Sequence, residues 1–226
     1  VNVTYSNNFA FQNMAKDINK SEYTEETKLK LNIFRECFRE WYPVFLHNPF
    51  ISRLYVYDMF AGSGKDSAGN YGSPLILLQE ARGDKKQHCK FLNKNKKPSV
   101  VFGFNEKEAD KSEALQQNIG KELDLCKTGC YNDRCLFATS YKVGSYDFQE
   151  LIQNETVCNI LANKSYGKFV LLDQYGFKQI DDNVFLKLVN SPKTDFIFFI
   201  ASSFVKRFHT IPAVSKYFDN NRIKFD

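Results

Sequence analysis

The chain has 226 residues, enough for one sizeable hydrophobic core. Hydrophobic residues at 43% and charged residues at 25% argue against a disordered chain and predict a globular protein. A net charge of +5 permits an anionic partner without demanding one, and no apolar run is long enough to span a membrane.

Aromatic residues reach 15%, and a Phe-rich core accounts for them more simply than a row of base-stacking platforms. Basic residues gather at Lys85, Lys86, Lys90, Lys94, Lys96 and Lys97. This run reads as a solvated connecting loop, with a nucleic-acid patch as the alternative. Cys126, Cys130 and Cys135 crowd together, but they lack the two-residue gaps and the fourth ligand of a zinc or iron–sulfur site, so no metal is expected. Cys37 and Cys158 fall within apolar patterns and read as small buried hydrophobes. No signal-peptide pattern stands out, so the expectation is a cytoplasmic protein with reduced thiols and no membrane partner.

Residues 1–26 lack a firm period and read as an arm or lead-in, and 27–226 read as one α/β domain. From Lys28 to Tyr42 the apolar residues Leu29, Ile33, Phe34, Cys37, Phe38 and Trp41 recur at helical spacing, with Pro43 near the helix end. Five β-type runs follow, at Leu54 to Tyr57, Val100 to Phe104, Leu136 to Thr139, Phe169 to Leu172 and Phe196 to Ile200. All but the third are nearly continuous apolar stretches, as strands buried on both faces of a parallel sheet should be. Helical patterns lie between them at Ser73 to Ala81, Glu108 to Leu125, Phe148 to Leu161 and Asp182 to Val189. The alternation predicts an open, mostly parallel sheet with helices on both faces.

The first strand runs into VYDMFAGSGKDS, residues 56–67. Gly-Ser-Gly-Lys suggests a phosphate cradle. A P-loop, however, needs glycine at position 59 and a hydroxyl at position 66, where the chain has Met59 and Asp66. A dinucleotide fingerprint finds Gly62 and Gly64 but meets Ser67 third, and Asp58 would face a pyrophosphate at close range. S-adenosylmethionine suits the loop better. It has no phosphate, its ammonium and sulfonium would be attracted by Asp58, and the two glycines let the backbone approach it without a Cβ in the way.

Glu106 follows the second strand, where a nucleoside cofactor meets a carboxylate that accepts from its ribose hydroxyls. A favourable helix start is the alternative role. Asp173 and Tyr175 follow the fourth strand, in the place of the Asp-Pro-Pro-Tyr-like loop of many methyltransferases. There Asp173 would accept from a substrate amine or hydroxyl and Tyr175 would stack on a ring. An ordinary polar strand end is the alternative.

These residues also resemble a family, the three-Cys-motif partner proteins. The likeness runs through Thr27-Lys28-Leu29-Lys30, Tyr57 to Gly64, Gly72-Ser73-Pro74-Leu75, Phe104-Asn105-Glu106 and Leu172-Asp173-Gln174-Tyr175-Gly176, spanning residues 27 to about 208. The resemblance implies a class I methyltransferase fold, S-adenosylmethionine as cofactor and a separate three-Cys-motif protein as partner. The chain's own cysteine cluster is not that motif. Members more often carry Pro where Gln174 stands. The third strand lacks an acidic residue after it, which leaves Thr139, Ser140 or Asp147 for the adenine. The family's sheet continues with two more strands, so the chain is expected to be incomplete at its C-terminal end.

The resulting reading is a Rossmann-like class I methyltransferase whose cofactor meets Asp58, Phe60, Ala61, Gly62, Gly64 and Glu106. Asp173 and Tyr175 border the acceptor, for which nucleic acid stays open. Two other classes compete: a non-catalytic partner module that kept the fold, and a Rossmann-type nucleotide-binding protein.

Overall fold

The computed structural model describes residues 21–83, 87–89, 98–127, 141–174 and 179–199. Its first helix, α1, spans Glu25–Leu46. Thr24 caps it by accepting from the Thr27 amide, and Glu25 and Glu26 in the first turn suit the positive end of its dipole. The helix outruns its expected length at both ends. Pro43 lies inside it, because a proline removes one hydrogen bond without leaving helical φ, and the last turn is held by buried Leu46.

The buried face of α1 is Leu31, Phe34, Phe38, Trp41, Tyr42 and Leu46. Leu29, Ile33 and Cys37, expected on the same face, are exposed. Residues stepping by four from Leu29 lie nearly opposite Leu31 on a helix with 3.6 residues per turn. The helix therefore carries two apolar stripes, and only the aromatic one faces the sheet. Trp41 ties that face to the far strand, its Nε1 donating to Asp195 Oδ2 at 2.8 Å.

Among the described residues the sheet has five strands in the order β3-β2-β1-β4-β5, all parallel: β1 Arg53–Asp58, β2 Ser99–Asn105, β3 Tyr141–Gly144, β4 Tyr166–Leu172 and β5 Thr194–Phe198. Among the described residues, three helices run between the first strands: α2 Ser73–Arg82 after β1, α3 Ala109–Lys127 after β2, and α4 Phe148–Gln153 after β3. Then come α5 Glu155–Ala162, before β4, and α6 Asp182–Val189, before β5. The helix expected over 148–161 is two. Asn154 ends α4 and, with extended backbone, caps α5 by accepting from the Thr156 amide.

Alternate strand residues face opposite sides. Phe169 and Leu171 join a core under α1, α2 and α3, with Phe38, Leu54, Leu75, Phe102, Leu115 and Ile119. Val170 and Leu172 join a second core under α4, α5 and α6, with Phe148, Ile152, Leu161, Val184 and Leu188. Both faces of the sheet are thus covered, as a parallel sheet requires. A lysine is fully buried in this layer. Lys168 Nζ donates to the carbonyls of Leu161 and Asn163 at the end of α5, and burial, with Lys193 nearby, pulls its pKa down to about 8.

One expectation for the strands changes, and one is not reached. β5 is not buried on both faces: it is half-exposed, because among the described strands it is an edge. The described β3 begins at Tyr141, and the expected run 136–139 lies outside the described residues. Cys158 is half-buried rather than buried, and Cys37 is exposed. Cys126 falls in the last turn of α3, while Cys130 and Cys135 lie outside the described residues. Among the described residues no helix is long and apolar enough to cross a membrane.

Candidate cofactor site

The register places three strand ends level. Asp58, the last residue of β1, pairs with Phe104 on β2 and Leu171 on β4. Asp58, Glu106 and Asp173 therefore emerge together at the carboxyl end of the sheet, where open α/β sheets bind ligands.

Asp58 is fully buried. Its Oδ1 accepts from the Phe60 amide at 3.2 Å, but its Oδ2 has no hydrogen-bond partner among the described residues. Burial pushes the carboxyl pKa from 3.8 up to about 7, the charges of Asp173 and Glu106 push the same way, and Ser73 and the Phe60 amide pull against them. A buried carboxylate oxygen left alone is costly unless a cationic group completes it.

The loop above is folded by its own backbone. Gly62 and Gly64 have φ of 60° and 80°, in the left-handed region that L side chains rarely adopt. A Cβ on Gly64 would come within 2.8 Å of Leu115 Cδ1. The Gly72 amide donates to the Gly64 carbonyl at 2.8 Å, and Asn118 Nδ2 holds the Ser63 carbonyl at 2.9 Å. Ala61 is buried and its amide is held by the Asn105 carbonyl. Phe60 keeps only its backbone in the loop, since its ring packs on Phe148 at 4.8 Å.

Glu106 does start a helix favourably, accepting from the Glu108 amide through Oε1 at 2.9 Å, but it does more. Its Oε2 accepts from the Gly62 amide at 2.9 Å, tying the end of β2 to the glycine loop. Each oxygen keeps a second lone pair for a ligand hydroxyl. Asn105 completes the stitch: its Nδ2 donates to the carbonyls of Met59 and Tyr146, and its Oδ1 accepts from the Tyr146 amide. Asp147, one of the adenine candidates, caps α4 and pairs with Lys107 at 2.7 Å. Thr139 and Ser140 lie outside the described residues.

Asp173 faces a cation. Lys30 Nζ on α1 lies 2.5 Å from its Oδ2, with side chains 13% and 18% exposed. Gln174 is buried, and its side-chain oxygen accepts from the Gln179 amide at 2.9 Å, closing the base of this loop. Tyr175 lies outside the described residues.

Two residues weighed in the phosphate reading, Lys65 for it and Asp66 against it, serve the loop itself. Asp66 accepts from the amides of Tyr23, Ala68 and Asn70 and from Asn70 Nδ2. These bonds hold its pKa below the usual carboxylate range despite burial. Lys65 lies over the Tyr71 ring at 4.9 Å, and Tyr71 bonds Glu122, which also receives Arg82 Nη2 at 2.6 Å. The lysine is thus directed to the α2–α3 side rather than at a phosphate.

Sequence reasoning missed Tyr23 and Lys30 as site residues, because both precede the strand that carries the motif. Tyr23 is buried, and burial plus the charges of Asp66, Asp173 and Asp58 keep its phenol protonated far beyond the ordinary range. The available signal was the Thr27-Lys28-Leu29-Lys30 stretch, which carries no glycine or carboxylate to mark a ligand.

The residues present fit S-adenosylmethionine: a buried carboxylate oxygen with no hydrogen-bond partner among the described residues, a turn above it whose two glycines take positive φ, and a carboxylate beside it with lone pairs to spare. No family model matches the chain, and no curated protein matches it either. Among solved structures it is similar to the "putative methyltransferase yhhF from Escherichia coli", at 16% identity and a TM-score of 0.34. That match covers 73% of this chain and spans only 64% of the other. Strand order and register on their own make the fold a Rossmann-like open α/β sheet, with the N-terminal helix packed against it.

Proposed function

We propose that this chain is an S-adenosylmethionine-dependent methyltransferase of three-Cys-motif partner type. The observation that carries the reading is Asp58: a fully buried carboxyl, one oxygen of which has no partner among the described residues, directly beneath a glycine turn. A nucleoside triphosphate or dinucleotide would bring phosphate to that oxygen, whereas an amino-acid ammonium would complete it. In this reading Asp58 binds the ammonium, Glu106 accepts from the ribose hydroxyls, and Gly62 and Gly64 let the backbone close on the ligand. The bound cofactor would supply an electrophilic methyl group on a sulfonium. Asp173 borders the acceptor and orients it, since positioning is most of what an in-line transfer asks of the protein.

A second reading, a cofactor-binding module without transfer, is favoured by one observation. The acceptor-side carboxylate Asp173 is already paired with Lys30. The two readings share the same first experiment, calorimetric titration with S-adenosylhomocysteine. Binding is expected, lost in Asp58→Ala and weakened about tenfold in Glu106→Ala, the scale of one hydrogen bond to a charged group. A folded sample that binds nothing refutes both readings. Methyl transfer to an RNA, DNA or protein acceptor, including a three-Cys-motif protein, then separates enzyme from module.

A further inference from the structure

A ligand with a methionine-like end brings a carboxylate as well as an ammonium, and Asp58 accounts only for the ammonium. The charges that act on Asp58 are those of Asp173 and Glu106, and Tyr23 beside them feels Asp58, Asp66 and Asp173. A carboxylate entering this acidic surrounding needs a cation. Lys65 is committed to Tyr71 and Lys107 to Asp147. Among the described residues, Lys30 is the ammonium that reaches the cluster, 2.5 Å from Asp173 and mostly buried.

Lys30 has donors to spare. An ammonium carries three N–H groups. Asp173 takes one, the Phe199 ring lies 5.2 Å away, and no other acceptor is found among the described residues. Its position is also fixed. Asp66 holds the Tyr23 amide at 2.8 Å, so the chain entering α1 is tied to the glycine loop, and the buried face of α1 packs on the sheet. Lys30 therefore stands at the carboxyl end of β4, with two N–H groups unspent among the described residues.

We propose that Lys30 is the carboxylate-binding residue of this site, its ammonium bridging Asp173 and the α-carboxylate of a ligand whose amino group is held at Asp58. This rests on the cofactor reading above and deepens it: the first helix completes the ligand site, and the Lys30–Asp173 pair serves binding rather than blocking the acceptor side.

The test compares two ligands on the full chain. S-adenosylhomocysteine has the amino-acid end, whereas 5′-methylthioadenosine lacks it. Lys30→Met is expected to weaken S-adenosylhomocysteine about 10- to 100-fold, the range for a lost charged hydrogen bond, and to leave methylthioadenosine within about twofold. Lys30→Arg, which keeps the charge, is expected to recover most of the loss, and this rescue decides the matter even where the nucleoside binds too weakly to measure. Equal loss for both ligands, no loss for S-adenosylhomocysteine, or no rescue by arginine overturns the assignment. Unchanged S-adenosylhomocysteine binding in Lys30→Met leaves the cofactor reading standing, whereas a wild-type chain that binds neither ligand removes both.

Discussion

Replacing Asp58 by Asn should make the ligand-free protein more stable while removing its ligand. The carboxyl is fully buried and its pKa is raised from 3.8 to about 7. The folded state therefore favours the neutral acid. The stability linked to that proton is complete below 3.8 and is lost as the pH rises through about 7. At about 1.4 kcal/mol per pKa unit, ionising the buried group costs about 4 kcal/mol across the window. Of this, about 2–3 kcal/mol falls between about pH 5 and about pH 8. Asp58→Asn carries no such titration. Urea unfolding followed by the fluorescence of Trp41, the single tryptophan and a buried one, should show wild type losing that amount relative to the variant over the interval. Subtracting the variant removes titrations common to both chains. Parallel stability profiles across this range would refute the reasoning, because they would mean that Asp58 is not held neutral in the folded state. The same logic predicts that an ammonium placed at Asp58 lowers this pKa, so S-adenosylhomocysteine binding below about pH 7 should release a proton, seen as heats that vary with the ionisation enthalpy of the buffer.

Two further outcomes follow from the geometry. Gly64→Ala has both a left-handed backbone and a Cβ 2.8 Å from Leu115 to accommodate, whereas Gly69→Ala has only the backbone, at φ 87° with nothing within 4 Å. The first should lower stability by about 2–3 kcal/mol and the second by about 1 kcal/mol in urea unfolding. Equal losses would show that Leu115 gives way freely. Lys168 has its pKa pulled down from 10.5 to about 8, so its folded state releases the proton earlier than the unfolded chain. Its contribution is complete above 10.5 and is lost as the pH falls through about 8, so stability should rise over that window. Lys168→Met should flatten that rise, and an unchanged profile would contradict a desolvated ammonium.

The strands that matter for the site were legible because their ends carry the chemistry. β1, β2 and β4 read as apolar runs, and a carboxylate followed each one. The α6 span Asp182–Val189 was equally plain, since Asp181 caps it and its buried residues Val184 and Leu188 recur at helical spacing. Other features were silent in one dimension. Leu29, Ile33 and Cys37 have the same helical period as the buried aromatic stripe, and periodicity does not say which of two stripes meets the sheet. Asn154 looked like an interior helix residue until its side chain was seen capping the next helix. β5 has the composition of a buried strand, yet among the described strands it has only β4 beside it.

The sequence by itself determined the α/β alternation, the glycine turn and the three carboxylates, because strand ends, turn chemistry and charge are properties of short segments. Only the tertiary structure decided what those carboxylates face. Asp58 is left with an open oxygen, Asp66 is consumed by its own loop, and Asp173 meets Lys30 from a helix that precedes the whole motif. These outcomes depend on burial and on partners far apart in the chain, and no local pattern encodes either.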